Sequence, residues 1–119
     1  MAYVDGFVVP LPRKNLEQYK EMSVRMGQVW REHGALQFRE CIGDDVKPGK
    51  LTSFPQAVNL EPDEVCVFSW IVYESRAARD AINDKAMKDP RMAELMKADA
   101  MPFDGKRMIY GGFEMMIDL

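Results

Sequence analysis

Glu40 is a carboxylate set among apolar neighbours. In the stretch ALQFRECIG it alternates with Leu36, Phe38 and Ile42, the pattern of one face of a strand. A carboxyl carried under a covering layer loses hydration, and its pKa climbs toward the range where it serves as a general base or a polar anchor. Its structural alternative is a plain ion pair. Asp5, in YVDGFVV, poses the same choice. His33 is the one histidine in the chain. It closes a helical stretch, where an imidazole either titrates near neutrality or simply meets the last carbonyls of the helix. Arg39 offers a planar fork for a carboxylate or phosphate, although an exposed strand arginine is equally expected. Trp70 is either core or the aromatic wall of a small-molecule pocket. Tyr110 offers a hydroxyl from the last strand. Glu40, Trp70, Asp5, His33, Arg39 and Tyr110 are therefore the candidate pocket, and no residue is assigned a catalytic step.

Other chemistries find little support. Cys41 and Cys66 stand without an evident base or cation run, so reduced structural thiols are expected. Asp44, Asp45 and Asp104 read as turn residues that bond their own backbone. The stretch 1–119 contains no phosphate-loop, dinucleotide, nucleophile-elbow or zinc-protease motif and no CxxC pair. Neither a cofactor nor a metal is expected. The formal net charge is −3, with no dense Lys/Arg stripe, which argues against nucleic acid as a partner. The longest apolar run is far short of the roughly 20 residues of a membrane span, and the N-terminal residues lack the pattern of a secretion signal. The expectation is a cytoplasmic protein.

The elements that position these residues follow from periodicity. At 119 residues, a single domain over 1–119 is expected. Residues 3–9 alternate as a first strand, ended by Pro10 and Pro12, which cannot donate to a ladder. Asn15 is the predicted cap of a helix. Leu16, Tyr19, Met22, Met26, Val29, Trp30 and His33 then recur at helical spacing until Gly34. Residues 35–43 form a second strand. A long connection over 44–64 includes a helical turn at 53–58. The run 65–73 is β-branched and aromatic with two apolar faces, a strand expected to be buried on both sides. Ser75 caps a helix over 76–88 that presents Ala77, Ala78, Ala81, Ile82 and Ala86. Asp89-Pro90 breaks it, and 91–98 forms a short helix. Residues 106–117 make the last strand, where Gly111-Gly112 mark a bulge or a close backbone approach.

The order is β-α-β-β-α-β. It predicts an α+β, ferredoxin-like fold with an antiparallel four-stranded sheet and helices on one face. The third strand's second apolar face then lacks cover within the chain, and a homodimer of apposed sheets would supply it.

The stretches YVDGFVVPLPRKNLEQY, VWREHGALQFRECIGDDVKPGKLTSFPQAV, FSWIVYESRAARD and MPFDGKRMIYGGF resemble the YbaA-like family of small bacterial proteins of unknown function (DUF1428). The resemblance covers nearly the whole chain. It implies the dimeric α/β-barrel superfamily, whose members include cofactor-independent monooxygenases, haem-degrading enzymes, lactone isomerases and ligand-sensing regulators. The haem-degrading branch pairs an Asn on the first strand, a Trp on the third and a His on the second helix. This chain has Trp70, Asp5 and no histidine on that helix, which argues against haem degradation. The functional expectation is a small-molecule-binding homodimer, by fold analogy a cofactor-independent oxygenase or isomerase. The alternative is a non-catalytic dimeric sensor, carrier or interaction module.

Overall fold

The computed structural model describes residues 1–97 and 101–119. Its strands are β1 (Tyr3–Pro12), β2 (Gln37–Ile42), β3 (Glu64–Tyr73) and β4 (Ile109–Glu114). Its α-helices are α1 (Leu16–Glu32), α2 (Phe54–Ala57), α3 (Arg76–Lys88) and α4 (Pro90–Leu95). The strands form one sheet in the order β2-β3-β1-β4, with every neighbouring pair antiparallel. The architecture is α+β, an open four-stranded antiparallel sheet with helices. No helix among the described residues is long and apolar enough to cross a membrane.

The first strand runs further than predicted, through Pro10 to Pro12. The Arg13 N–H donates to the Asp63 carbonyl, on the β3 side, so odd-numbered residues here donate toward β3. The prolines fall on the other parity, facing β4, and β4 pairing stops at Val8. Their missing donors cost no ladder bond. Asn15 precedes α1 as expected but makes no side-chain cap bond. Its amide instead donates to the Pro102 carbonyl, tying the helix start to the loop before β4. Gly34, with φ of +117°, takes the chain out of the helix in a conformation costly for any residue with a Cβ. Ser75 caps α3 as predicted, accepting from the Ala78 N–H at 3.0 Å. Ala77 and Ala81 are exposed, however, and Ile82 and Ala86 carry the packing of that helix. Of the predicted short helix, Pro90–Leu95 is helical, and Ala98 lies outside the described residues.

The core forms on one sheet face. Tyr3, Ile71 and Tyr73 pack there against Val29 and Trp30 of α1, Ile82 and Ala86 of α3, and Met92 of α4. Val9, Leu11, Val65 and Val67 continue the same layer beneath Tyr19. The two glycines of β4 keep a regular register, with Gly6 opposite Gly111 and Asp5 opposite Gly112, so there is no bulge at that point. Gly112 is instead a close approach, since a Cβ there would collide with the Tyr3 ring. The expectation that β3 is buried on both faces is met on the helix side alone. On the other face Val58 and Leu60 cover Cys66, while Phe68 stays 44% exposed.

Candidate functional site

The register of the sheet lines up four residues across all four strands. Glu40 pairs with Ser69, Ser69 with Phe7, and Phe7 with Tyr110. Paired residues share a face, so this row lies on the helix side. It forms the floor of a cavity of about 400 Å³. α1 provides its roof through Tyr19, Met22, Ser23, Met26 and Trp30, and Met87, Met96, Met101, Phe103 and Met108 close its sides. The lining is apolar and rich in methionine, whose unbranched thioether adapts to irregular shapes. Phe38 stands beside Glu40 because α1 has no side chain at Gly27. A Cβ there would lie 2.8 Å from Phe38 Cδ1.

Glu40 is the polar centre of this wall. Its Oε1 accepts from the Tyr19 hydroxyl at 2.8 Å and its Oε2 from the Ser23 hydroxyl at 2.7 Å. Ser69, its partner in the strand register, turns its hydroxyl to the same face and favours the charged form. Tyr19 and Ser23 reach it together because residues four apart lie on one face of a helix. Among the described residues no Lys, Arg or His forms an ion pair with it. Glu40 stays exposed to solvent on the edge strand β2, yet the packing of α1 against its carboxyl raises it from its ordinary value, and the hydroxyl bonds bring it only part of the way back. Burial, and then the charge of Glu40, raise the Tyr19 phenol in turn, so it stays a protonated donor. The ion pair weighed as the structural alternative for Glu40 is not what holds it.

The six candidates separate. Glu40 and Tyr110 belong to the cavity floor, and the Tyr110 ring stacks on Phe7 with centroids 6.2 Å apart. Arg39 and Trp70 border the cavity, but they pair with each other in the register, one position out of phase with Glu40 and Ser69. Their side chains thus belong to the helix-free face. There Trp70 Nε1–H donates to Gln37 Oε1 at 3.2 Å and the indole contacts Phe68. Arg39 donates to the Phe38 carbonyl at 3.3 Å.

Asp5 and His33 lie outside the cavity. Asp5 is buried and accepts from Arg79 Nη1 at 2.9 Å, while Arg79 Nη2 donates to the Tyr3 hydroxyl and the guanidinium covers the Tyr3 ring. Burial raises the Asp5 carboxyl despite the attraction of Arg79. His33 Nε2 lies 3.2 Å from Asp89 Oδ2, and Asp89 also accepts from Arg91. Hydrogen bonds from Arg91 hold the Asp89 carboxyl well below its usual range. These two candidates serve packing between elements. Cys66 is buried, which raises its thiol, and Cys41 is exposed on the edge strand.

The residues that sequence reasoning missed are the hydroxyls. Ser69 is the single polar residue on the inner face of β3, and Ser23 interrupts an apolar helical stripe four residues after Tyr19. Both were visible as polar breaks in apolar patterns. What joins them to Glu40 is the strand register and the height of α1 above it.

The chain is 52% identical over 118 residues, covering 99% of each chain, to "Uncharacterized protein YbaA" of Escherichia coli strain K12. It matches the protein of the same description from Shigella flexneri to the same extent. The family described as "Protein of unknown function (DUF1428)" matches residues 2–105, which include Phe7, Tyr19, Ser23, Glu40 and Ser69. The chain belongs to the DUF1428 family.

Proposed function

We propose that this chain is a homodimeric small-molecule-binding protein of ferredoxin-like build, with Glu40 as the polar anchor of the ligand. The observation that carries the reading is the state of Glu40. Its carboxylate is held by the Tyr19 and Ser23 hydroxyls, with no cation among the described residues in an ion pair with it, at the wall of an apolar cavity where solvent, and so a ligand, can reach it. Salt-bridged Asp5 shows how the same chain treats a carboxylate that only packs. The cavity volume suits a small organic molecule.

The helix-free face supports the dimer. Phe68, Ile109 and Phe113 are 44%, 44% and 60% exposed on it, beside half-buried Val4, Trp70 and Val72. Contiguous apolar surface of that kind marks an interface. Gly6 and Gly111 leave a side-chain-free strip along it, bordered by Trp70 and Phe113, which an apposed sheet would cover. Such an interface should bury well over ~1,000 Å² in total.

Native mass spectrometry of the purified protein tests both parts. The expected spectrum shows twice the chain mass, with part of the population carrying a small molecule that gentle activation removes. A stable monomer at micromolar concentration contradicts the dimer. A population that never carries a ligand, even after incubation with aromatic amines, phenols and lactones, contradicts the binding role.

A further inference from the structure

We infer that the cavity selects a flat apolar molecule bearing a hydrogen-bond donor, a protonated amine above all, and rejects carboxylates and phosphates. This deepens the binding role proposed for Glu40 and rests on it. The inference comes from an inventory of donors and acceptors. The Tyr19 and Ser23 hydroxyl protons are directed to Glu40, and the Trp30 indole N–H is directed to Asn83 Oδ1 at 3.0 Å. Around Glu40 the Tyr19 and Ser23 hydroxyls therefore offer an incoming ligand only lone pairs, and the remaining polar groups of the lining, the Tyr110 hydroxyl and Arg39, lie at the far end of the floor row and on the border. An ionised carboxylate has about four acceptor directions. Two are taken by the Tyr19 and Ser23 hydroxyls, and the others are open to a donor on the ligand.

An anionic ligand would be repelled by the Glu40 charge, the more so as it displaced solvent from the apolar walls. A cation gains both the Glu40 charge and the aromatic lining of Phe7 and Phe38. The basic residues nearby do not reverse this. Lys20 and Arg31 line the adjoining hollow that Glu40 also borders but form no ion pair with it, and Arg39, whose Nη1 donates to the Phe38 carbonyl, belongs to the helix-free face.

Four probes sharing one ring system test the inference: 1-naphthylmethylamine, 1-naphthalenemethanol, 1-naphthoic acid and 1-methylnaphthalene, each titrated calorimetrically near neutral pH. The amine should bind tightest, the alcohol next, and the acid at least about ten-fold more weakly than the amine. Glu40→Gln should weaken the amine by about ten-fold and leave methylnaphthalene unchanged. Should that variant fail to fold, the wild-type ranking alone decides. Acid binding equal to or tighter than the amine overturns the ligand class while leaving the cavity as a binding site. Equal binding of amine and methylnaphthalene removes Glu40 as an anchor and overturns the inference too. Failure of all four probes overturns the binding role itself, and the inference with it.

Discussion

Replacing Arg79 with methionine is expected to destabilise the protein by about 3 kcal/mol near neutral pH, the order seen when one member of a buried ion pair is removed. Asp5 is only 6% exposed, on the central strand β1, and its cationic partner is the Arg79 guanidinium of α3. Methionine keeps much of the side-chain volume but leaves the carboxylate without that cation. The loss should depend on pH with a definite sign. Burial already holds the Asp5 carboxyl above its ordinary value, and loss of Arg79 pushes it higher still. A carboxyl whose folded-state pKa is raised stabilises the fold fully below the unfolded pKa, near 4 for aspartate. That contribution is lost as pH rises through the folded value. The variant should therefore lie closest to wild type in acid and furthest from it at neutral pH. Adding Asp5→Asn should recover part of the loss. Urea denaturation across this pH range measures it, and a loss below about 1 kcal/mol at neutral pH would place the pair among weak surface bridges instead.

Glu40→Gln is expected to act in the opposite direction. The native Glu40 carboxyl is raised by burial, with no cation to oppose it. By the same sign rule, wild type loses stability as pH rises from the unfolded glutamate pKa through the folded one. Glutamine keeps the shape, its amide oxygen accepting from one of the two hydroxyls and its amide nitrogen donating to the oxygen of the other, and it carries no charge to desolvate. The variant should equal wild type below about pH 4 and exceed it at neutral pH. The gain should sit at the low end of the ~0.5–2 kcal/mol typical of stabilising substitutions, because solvent at the cavity mouth screens part of the charge. A substitution that stabilises the fold while weakening amine binding about ten-fold marks a residue kept for function. A Glu40→Gln variant less stable than wild type at neutral pH would instead make the hydroxyl cluster a structural device.

How far the chain could be read in advance differs from element to element, for physical reasons. The helix over Arg76–Lys88 was legible because Ser75 and Pro90 bracket it. The inward face of Glu40 was legible from simple alternation with Phe38. The extent of β1 was not, because whether a proline breaks a strand depends on which neighbour its missing N–H would have faced. The opposed placement of Trp70 and Glu40 turns on a one-residue phase in the β2–β3 register, and such a phase flips a side chain to the other face. Asp5 and His33 looked like candidates because their partners are remote. Arg79 is 74 residues from Asp5, and Asp89 is 56 residues from His33. Nothing local to either residue announces the partner. The hydroxyl shell of Glu40 draws on α1 and β3 together, so it exists only once the two layers are stacked.

The central claim is that a ligand sits between α1 and the Glu40–Tyr110 row. Its most direct test is an NMR titration of protein labelled with ¹³C at the methionine methyls. The chain has ten methionines, and six of them, Met22, Met26, Met87, Met96, Met101 and Met108, line the cavity. Met92 is in the core, while Met1 and Met116 are exposed at the chain ends. On titration with 1-naphthylmethylamine the cavity methyls should shift by ring current, and the Met1 and Met116 signals should stay in place. Shifts confined to Met1, Met115 and Met116, with the cavity methyls unmoved, would contradict the account.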